Sequence, residues 1–113
     1  VRCFFHTTES SPPVDFGPDK VAFDYAAIQF PLYARRRMPG DVFHPMGAAG
    51  SRKLKKMLID LKVPCEQRDA LPLILDSRGI LWVLGLRRAE RGRLQDSTSK
   101  VIVIEQIKPA NID

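Results

Sequence analysis

A small α+β domain, mostly strand with one main amphipathic helix, is the fold class this sequence predicts. Three observations carry it. Short β-branched and aromatic runs recur along the chain with Gly, Pro, Asn, Asp or Ser between them. Only one window shows a clear helical apolar period. The 113 residues, 44% of them hydrophobic, suffice for one domain with a modest core and argue against disorder.

The elements follow in order. Val1–Thr7 is β-branched and aromatic and reads as a strand. Glu9–Lys20 holds three prolines, two serines and a glycine and reads as a loop or linker. This divides the chain into a leading strand with a Pro-rich linker, 1–20, and a main domain, 21–113. In Val21–Ala34, Phe23 and Tyr25 alternate with small or polar residues, as do Ile28, Phe30 and Leu32, which favours strand. Pro31 has no amide hydrogen and pushes that strand toward an edge.

The helix is expected over Ser51–Leu61. Leu54, Met57, Leu58 and Leu61 stand at i, i+3, i+4 and i+7, one apolar stripe. Ser51 can cap the free amides of the first turn, and Pro64 ends the helix. Leu71–Leu75 and Ile80–Leu84 are joined by Asp76-Ser77-Arg78-Gly79, where glycine supplies positive φ, so a hairpin is expected. Gly85 interrupts the run ahead of Arg87 and Arg88, and Val101–Ile107 is a last strand. Trp82 belongs in the core.

Net charge is +5, unevenly placed. Residues 1–34 carry two basic and four acidic side chains, residues 35–93 fourteen and six, and the last twenty two and three. Such a basic middle implies a localised positive surface, for which nucleic acid is the commonest partner and an anionic membrane the next candidate. No apolar run approaches the roughly 18–20 residues of a membrane span, and no signal-peptide pattern opens the chain, so no membrane partner is expected. The first residue is Val rather than Met, as expected for a piece of something longer. Cys3 and Cys65 are too few and too far apart for a disulfide framework, and a cytoplasmic location is expected.

The basic residues concentrate between Arg35 and Lys62. Arg35-Arg36-Arg37 leads into Pro39-Gly40-Asp41; strand alternation would put Arg35 and Arg37 on one face and Arg36 on the other. Gly47-Ala48-Ala49-Gly50-Ser51-Arg52-Lys53 fails the Walker pattern, because its lysine does not follow four intervening residues and a second glycine. It is closer to the G-x-x-G loop that clamps nucleotide backbone in KH domains, without the apolar helix that should precede it. A glycine at Gly50 permits positive φ and clears the Cβ from an approaching phosphate. Arg52, Lys53, Lys55 and Lys56 are four cations within five positions, with no acid before Asp60. That is more than solubility needs, although any amphipathic helix has a solvated face.

Arg87, Arg88, Arg91 and Arg93 either extend this surface or solvate a hairpin end, and Arg68 beside Asp69 reads as an ion pair or turn. The expected RNA-contacting residues are Arg35, Arg37, Gly47, Gly50, Ser51, Arg52, Lys53, Lys55, Lys56, Arg87 and Arg88. No nucleophile–base set stands out around His6 or His44. Cys3, His6, His44 and Cys65 lack the paired spacings of a structural zinc site, so neither catalytic nor metal residues are expected.

These residues together resemble the C-terminal domain of bacterial tRNA(Ile)-lysidine synthetase. The pattern runs through Pro31-Leu32, Arg35, Arg37, Pro39-Gly40-Asp41, Pro45-Met46-Gly47, Gly50-Ser51-Arg52-Lys53-Leu54-Lys55 and Leu58-Ile59-Asp60. It continues through Val63-Pro64, Arg68-Asp69, Pro72-Leu73, Ile80, Trp82-Val83, Gly85 and Arg87. It covers about residues 23–88. The resemblance implies a sandwich-like domain with a helix, akin to one in phenylalanyl-tRNA synthetase. It also implies membership of a ligase that attaches lysine to the wobble cytidine of isoleucine tRNA using ATP. In that family catalysis and ATP binding lie in an N-terminal PP-loop domain with a Ser-Gly-Gly-x-Asp-Ser loop, which this chain lacks. The implied role is therefore a non-catalytic module, without a cofactor of its own, that grips the acceptor-stem end of the tRNA. The implied partners are that tRNA and the N-terminal catalytic domain of the same polypeptide. The competing expectation is a structural domain packed against that catalytic domain, its basic face incidental.

Overall fold

A computed structural model of the chain describes residues 2–8 and 18–107, without the side chains of Arg2 and Phe4. Among the described residues nine strands and two short helices run in the order β1 (Arg2–Thr8), β2 (Lys20–Asp24), β3 (Tyr33–Arg36), β4 (Val42–Phe43), β5 (Arg52–Lys53), α1 (Leu54–Asp60), α2 (Cys65–Arg68), β6 (Pro72–Asp76), β7 (Gly79–Val83), β8 (Arg87–Arg88) and β9 (Val101–Ile107). A 3₁₀ turn, Tyr25–Ala27, follows β2. Most of the sequence-predicted linker, residues 9–17, lies outside the described residues.

All strand pairs are antiparallel. One sheet has the order β1-β9-β2, a second β3-β6-β7-β8, and β4 and β5 form a small ribbon. The leading strand is paired with β9 along its whole length, from Arg2 opposite Ile107 to Thr8 opposite Val101. β1 and β2 thus flank the same central strand.

Alternation along the strands builds a layered core. Ile74 of β6, Leu81 and Trp82 of β7, and Ile102 and Ile104 of β9 meet Phe23 and Ile28 between the two sheets. On the opposite face of the four-stranded sheet, Leu73, Leu75, Ile80 and Val83 receive Leu54, Met57 and Leu58 of α1, with Phe43 and Val63. The molecule is a β-sandwich with a helix as its outer layer. A bulge in the β6–β7 hairpin reconciles the pleat with this arrangement. Ile74 pairs with Trp82 and Leu75 with Ile80, so Leu81 is the extra residue. Two consecutive side chains, Leu81 and Trp82, can then enter the same core.

Two expectations are corrected. Ile28–Leu32 is not strand: Ile28 is buried, but the segment is a connection, and β3 starts at Tyr33. The Ile28 amide bonds the Tyr25 carbonyl, the Gln29 amide bonds Asp76 Oδ2, the Gln29 carbonyl accepts from Ser77, and Pro31 has no amide to give, so the alternating pattern is not realised as a ladder. The helix is also shorter than expected. Arg52 and Lys53 are extended and pair with Phe43 and Val42, so α1 starts at Leu54 and its N-cap is Lys53, with no side-chain capping bond. Ser51 therefore caps nothing. The Leu54 amide donates instead to the Asp41 carbonyl, 3.0 Å away.

The helix ends before Pro64. Lys62, at φ 60°, donates to the Ile59 carbonyl at 2.9 Å, and Val63 to that of Leu58 at 3.0 Å. This is a Schellman closure with lysine where glycine is usual. Pro64 caps α2 instead.

Candidate nucleic-acid interface

The outer layer is set by a chain of polar contacts that starts at Arg35. Its guanidinium holds Asp41 through two bonds, Nη1 to Oδ2 at 2.9 Å and Nη2 to Oδ1 at 3.0 Å. The Met38 amide donates to the same carboxylate at 2.8 Å. The bond from Arg35 holds the Asp41 carboxyl below the ordinary aspartate range, against the opposing effect of burial. Asp41's carbonyl then takes the first amide of α1. Arg35 thus fixes the turn that seats the helix.

Arg37 contacts Asp69 just after α2, and its Nε is buried without an acceptor. Asp69 is therefore partnered by Arg37, not by its neighbour Arg68, whose Nε donates to the Val63 carbonyl at 2.9 Å. Arg36 is exposed.

The four cations expected on one helix divide between ribbon and helix. All of them are exposed. Arg52 contacts Asp60 across α1. No described carboxylate forms an ion pair with Lys53, Lys55 or Lys56. Val42, opposite Lys53 in the ribbon, and Ile59, one turn along from Lys55 and Lys56, are exposed apolar neighbours of these lysines.

The glycine loop that joins the two ribbon strands is an exposed turn. Gly47, not Gly50, takes the positive φ, at 86°. The Gly47 amide donates to Glu90 Oε1 at 2.8 Å, and the Ala48 amide to the Pro45 carbonyl at 3.1 Å. His44 Nε2 donates to the Ala48 carbonyl at 2.8 Å. The Gly47 bond, with help from Arg93, holds the Glu90 carboxyl below its ordinary range. A Cβ at Gly50 would meet nothing within 4 Å.

Arg87 and Arg88 part company. Arg87 is exposed. Arg88 turns inward over the Phe23 ring, 4.2 Å from its centroid, and bonds the carbonyls of Ala22 and Ala89. Burial pushes its pKa down to about 10. Its two-residue strand alternates as any strand does, which the run Leu86-Arg87-Arg88 conceals.

Nothing in the sequence marks Arg91 and Asp76 as a pair. Arg91 reaches Asp76 from 15 positions away in the chain. The turn signature Asp76-Ser77-Arg78-Gly79 marks the acid's local role, accepting from the amides of Arg78 and Gly79 at 2.9 and 3.2 Å, but not its distant partner.

Among the described residues no three His, Cys, Asp or Glu side chains gather as metal ligands, and no helix is long and apolar enough to cross a membrane.

Residues 32–105 match the family model described as the TilS substrate C-terminal domain. This chain belongs to that family. A tRNA(Ile)-lysidine synthase of Caldanaerobacter subterraneus subsp. tengcongensis is 43% identical over 86 residues, 76% of this chain and 18% of the relative. One from Symbiobacterium thermophilum is 38% identical over 93 residues, 82% of this chain and 19% of the relative. The chain thus spans about a fifth of the length of these curated relatives. A crystal structure of a TilS C-terminal domain superposes with a TM-score of 0.78 at 31% identity, covering 91% of this chain and 80% of that one. An N-terminal fragment of the phenylalanyl-tRNA synthetase β-subunit from Pyrococcus horikoshii shares the fold, with a TM-score of 0.64 at 22% identity, over 75% of this chain and 27% of that one. Both likenesses agree with the β-rich sandwich and helix expected from the resemblance.

Proposed function

We propose that this TilS C-terminal domain is a non-catalytic tRNA-binding module of a tRNA(Ile)-lysidine synthetase, gripping the acceptor-stem end of isoleucine tRNA. The observation that carries the proposal is the set Lys53, Lys55 and Lys56, exposed and unmatched by any described carboxylate on a rigid ribbon-and-helix layer. A-form RNA offers a phosphate track and a shallow minor groove, read mainly by shape. Three mobile ammonium groups on a fixed base suit that track. The ribbon pairing and the Arg35–Asp41 clasp keep the base in place. Lysine attachment and ATP use belong to the remainder of the synthetase, in the cytoplasm.

Titrating the chain with isoleucine tRNA at two salt concentrations tests this. Phosphate contact weakens affinity steeply as salt rises. Exposed Val42 and Ile59 beside the lysines favour a second reading, in which this layer packs on the catalytic domain of its own polypeptide. Affinity for the RNA that is absent, or flat with salt, selects the second.

A further inference from the structure

Away from the lysine layer, the sandwich opens where the outermost described strands of its two sheets lie on one side. β1 ends the order β1-β9-β2 and β3 ends the order β3-β6-β7-β8. A cavity of about 480 Å³ lies between them, within the range of about 300–1,000 Å³ usual for small-ligand pockets. Ile74 and Ile104 line it, and Phe5, Tyr33, Arg35 and Arg36 border it.

Its rim is aromatic and unusually bare. Phe5, Phe30 and Tyr33 are 49%, 42% and 46% exposed. Phe5 and Phe30 stand with ring centroids 6.1 Å apart, and Tyr25 continues the row 5.5 Å from Phe30. Rings left half in water between packed sheets are unspent stacking surface. Among the described residues no carboxylate lines the cavity, and the charged side chains at its border are Arg35 and Arg36. Arg35 is engaged by Asp41, Arg36 makes no ion pair with a described carboxylate, and Lys100 Nζ sits 4.2 Å from the Tyr25 ring centroid.

We propose that this groove takes unstacked nucleotides of a single-stranded RNA segment, with bases on the Phe5 and Phe30 rings and a phosphate at Arg36. This deepens the RNA-binding reading and rests on it. Aromatic faces plus cations bind single strands with little sequence preference, because every base has a π-face. A duplex stem presents no free base face, so this site and the lysine layer engage different parts of one RNA.

The test uses the 113-residue chain, a mixed-sequence RNA hexamer and a short blunt RNA duplex, followed by fluorescence anisotropy and amide chemical-shift mapping. Phe5→Ala with Phe30→Ala should weaken hexamer binding by on the order of tenfold or more and leave duplex binding within about twofold. Arg36→Ala, at an exposed position, should weaken the hexamer by a few-fold without changing the thermal midpoint. It serves as the test if the double variant does not fold. In the parent, saturating hexamer should shift the amides of β1 and β3. Equal hexamer affinity in parent and variants, or shifts confined to the lysine layer, overturns the groove while leaving the duplex-binding reading intact. Self-association of the parent that Phe30→Ala abolishes would assign the groove to a second copy of the chain and also overturn it. Loss of duplex binding in Lys53→Ala with Lys56→Ala, with hexamer binding retained, is the complementary result expected.

Discussion

Arg91 grips the fully buried carboxylate of Asp76 with both arms of its guanidinium, at 2.7 and 2.5 Å. Asp76 also accepts the Gln29 amide at 2.9 Å, and Arg91 donates to the Ala27 carbonyl at 3.1 Å. One pair therefore ties the β6–β7 turn, the connection after the 3₁₀ turn, and the loop beyond β8. Removing one partner of a buried pair leaves the other charge uncompensated. Asp76→Ala should destabilise the domain by about 3–5 kcal/mol. Urea unfolding at pH 7 measures it; a change below about 1 kcal/mol would show that water replaces the carboxylate.

The same pair sets the acid response. Burial alone would raise the Asp76 pKa, but Arg91 and the backbone amides outweigh it and the net shift is downward. The native state then holds fewer protons than the unfolded chain near pH 4. The contribution is complete above the ordinary aspartate value of about 3.9 and is lost as pH falls through the lower folded value. Asp76→Asn should be clearly less stable than the parent at pH 7, and the gap should narrow toward pH 3. Asp41 and Glu90 titrate in both proteins, so the gap isolates Asp76. Urea midpoints at pH 7, 4 and 3 check this, and a constant gap would contradict it.

Lys62 is the lone described non-glycine residue at positive φ. Lys62→Gly should relieve that conformation and stabilise the domain by about 1 kcal/mol, less the entropy glycine gains in the unfolded chain. Thermal unfolding decides it. A lower melting temperature would mean that the lysine stem contributes packing that its conformation conceals.

Glycines 50 and 92 separate surface from core. A Cβ at Gly92, already at φ 78°, would stand 2.9 Å from Phe23 Cδ1, the ring that Arg88 covers. Gly92→Ala should cost about 1–3 kcal/mol. At Gly50 there is open space and no positive φ, so Gly50→Val should leave the melting temperature nearly unchanged. If the loop touches phosphate, the same change weakens tRNA binding. Melting and binding measured on one protein separate the two roles.

Much of this architecture is legible from local signals. Apolar alternation marks β6, β7 and β9, and the stripe of Leu54, Met57 and Leu58 marks the buried side of α1. Trp82 is 2% exposed, as its apolar setting implies. What stays hidden depends on distant partners. Ser51 looks like a cap until β5 pairs with β4 and moves the helix start. Arg35, Arg37 and Arg88 read as surface charge because Asp41, Asp69 and the Ala22 carbonyl reach them only in the folded chain. Composition places fourteen cations between residues 35 and 93 but cannot say which of them are free.

The isolated chain should form no lysidine when incubated with isoleucine tRNA, ATP and lysine. The basis is the absence of a Ser-Gly-Gly-x-Asp-Ser phosphate loop from the 113 residues. Mass analysis of the digested RNA reads the outcome, and modified cytidine would contradict it.

The most direct test compares Lys53→Ala with Lys56→Ala against the parent in tRNA binding across a salt series. Both side chains are exposed, while Leu54, Met57 and Leu58 hold the layer, so the variant should melt as the parent does. Loss of two phosphate contacts should lower affinity and reduce the slope of log affinity against log salt by on the order of one to two units. An unchanged affinity and slope in a folded variant would show that these lysines only solvate the helix, and would contradict the tRNA-gripping account.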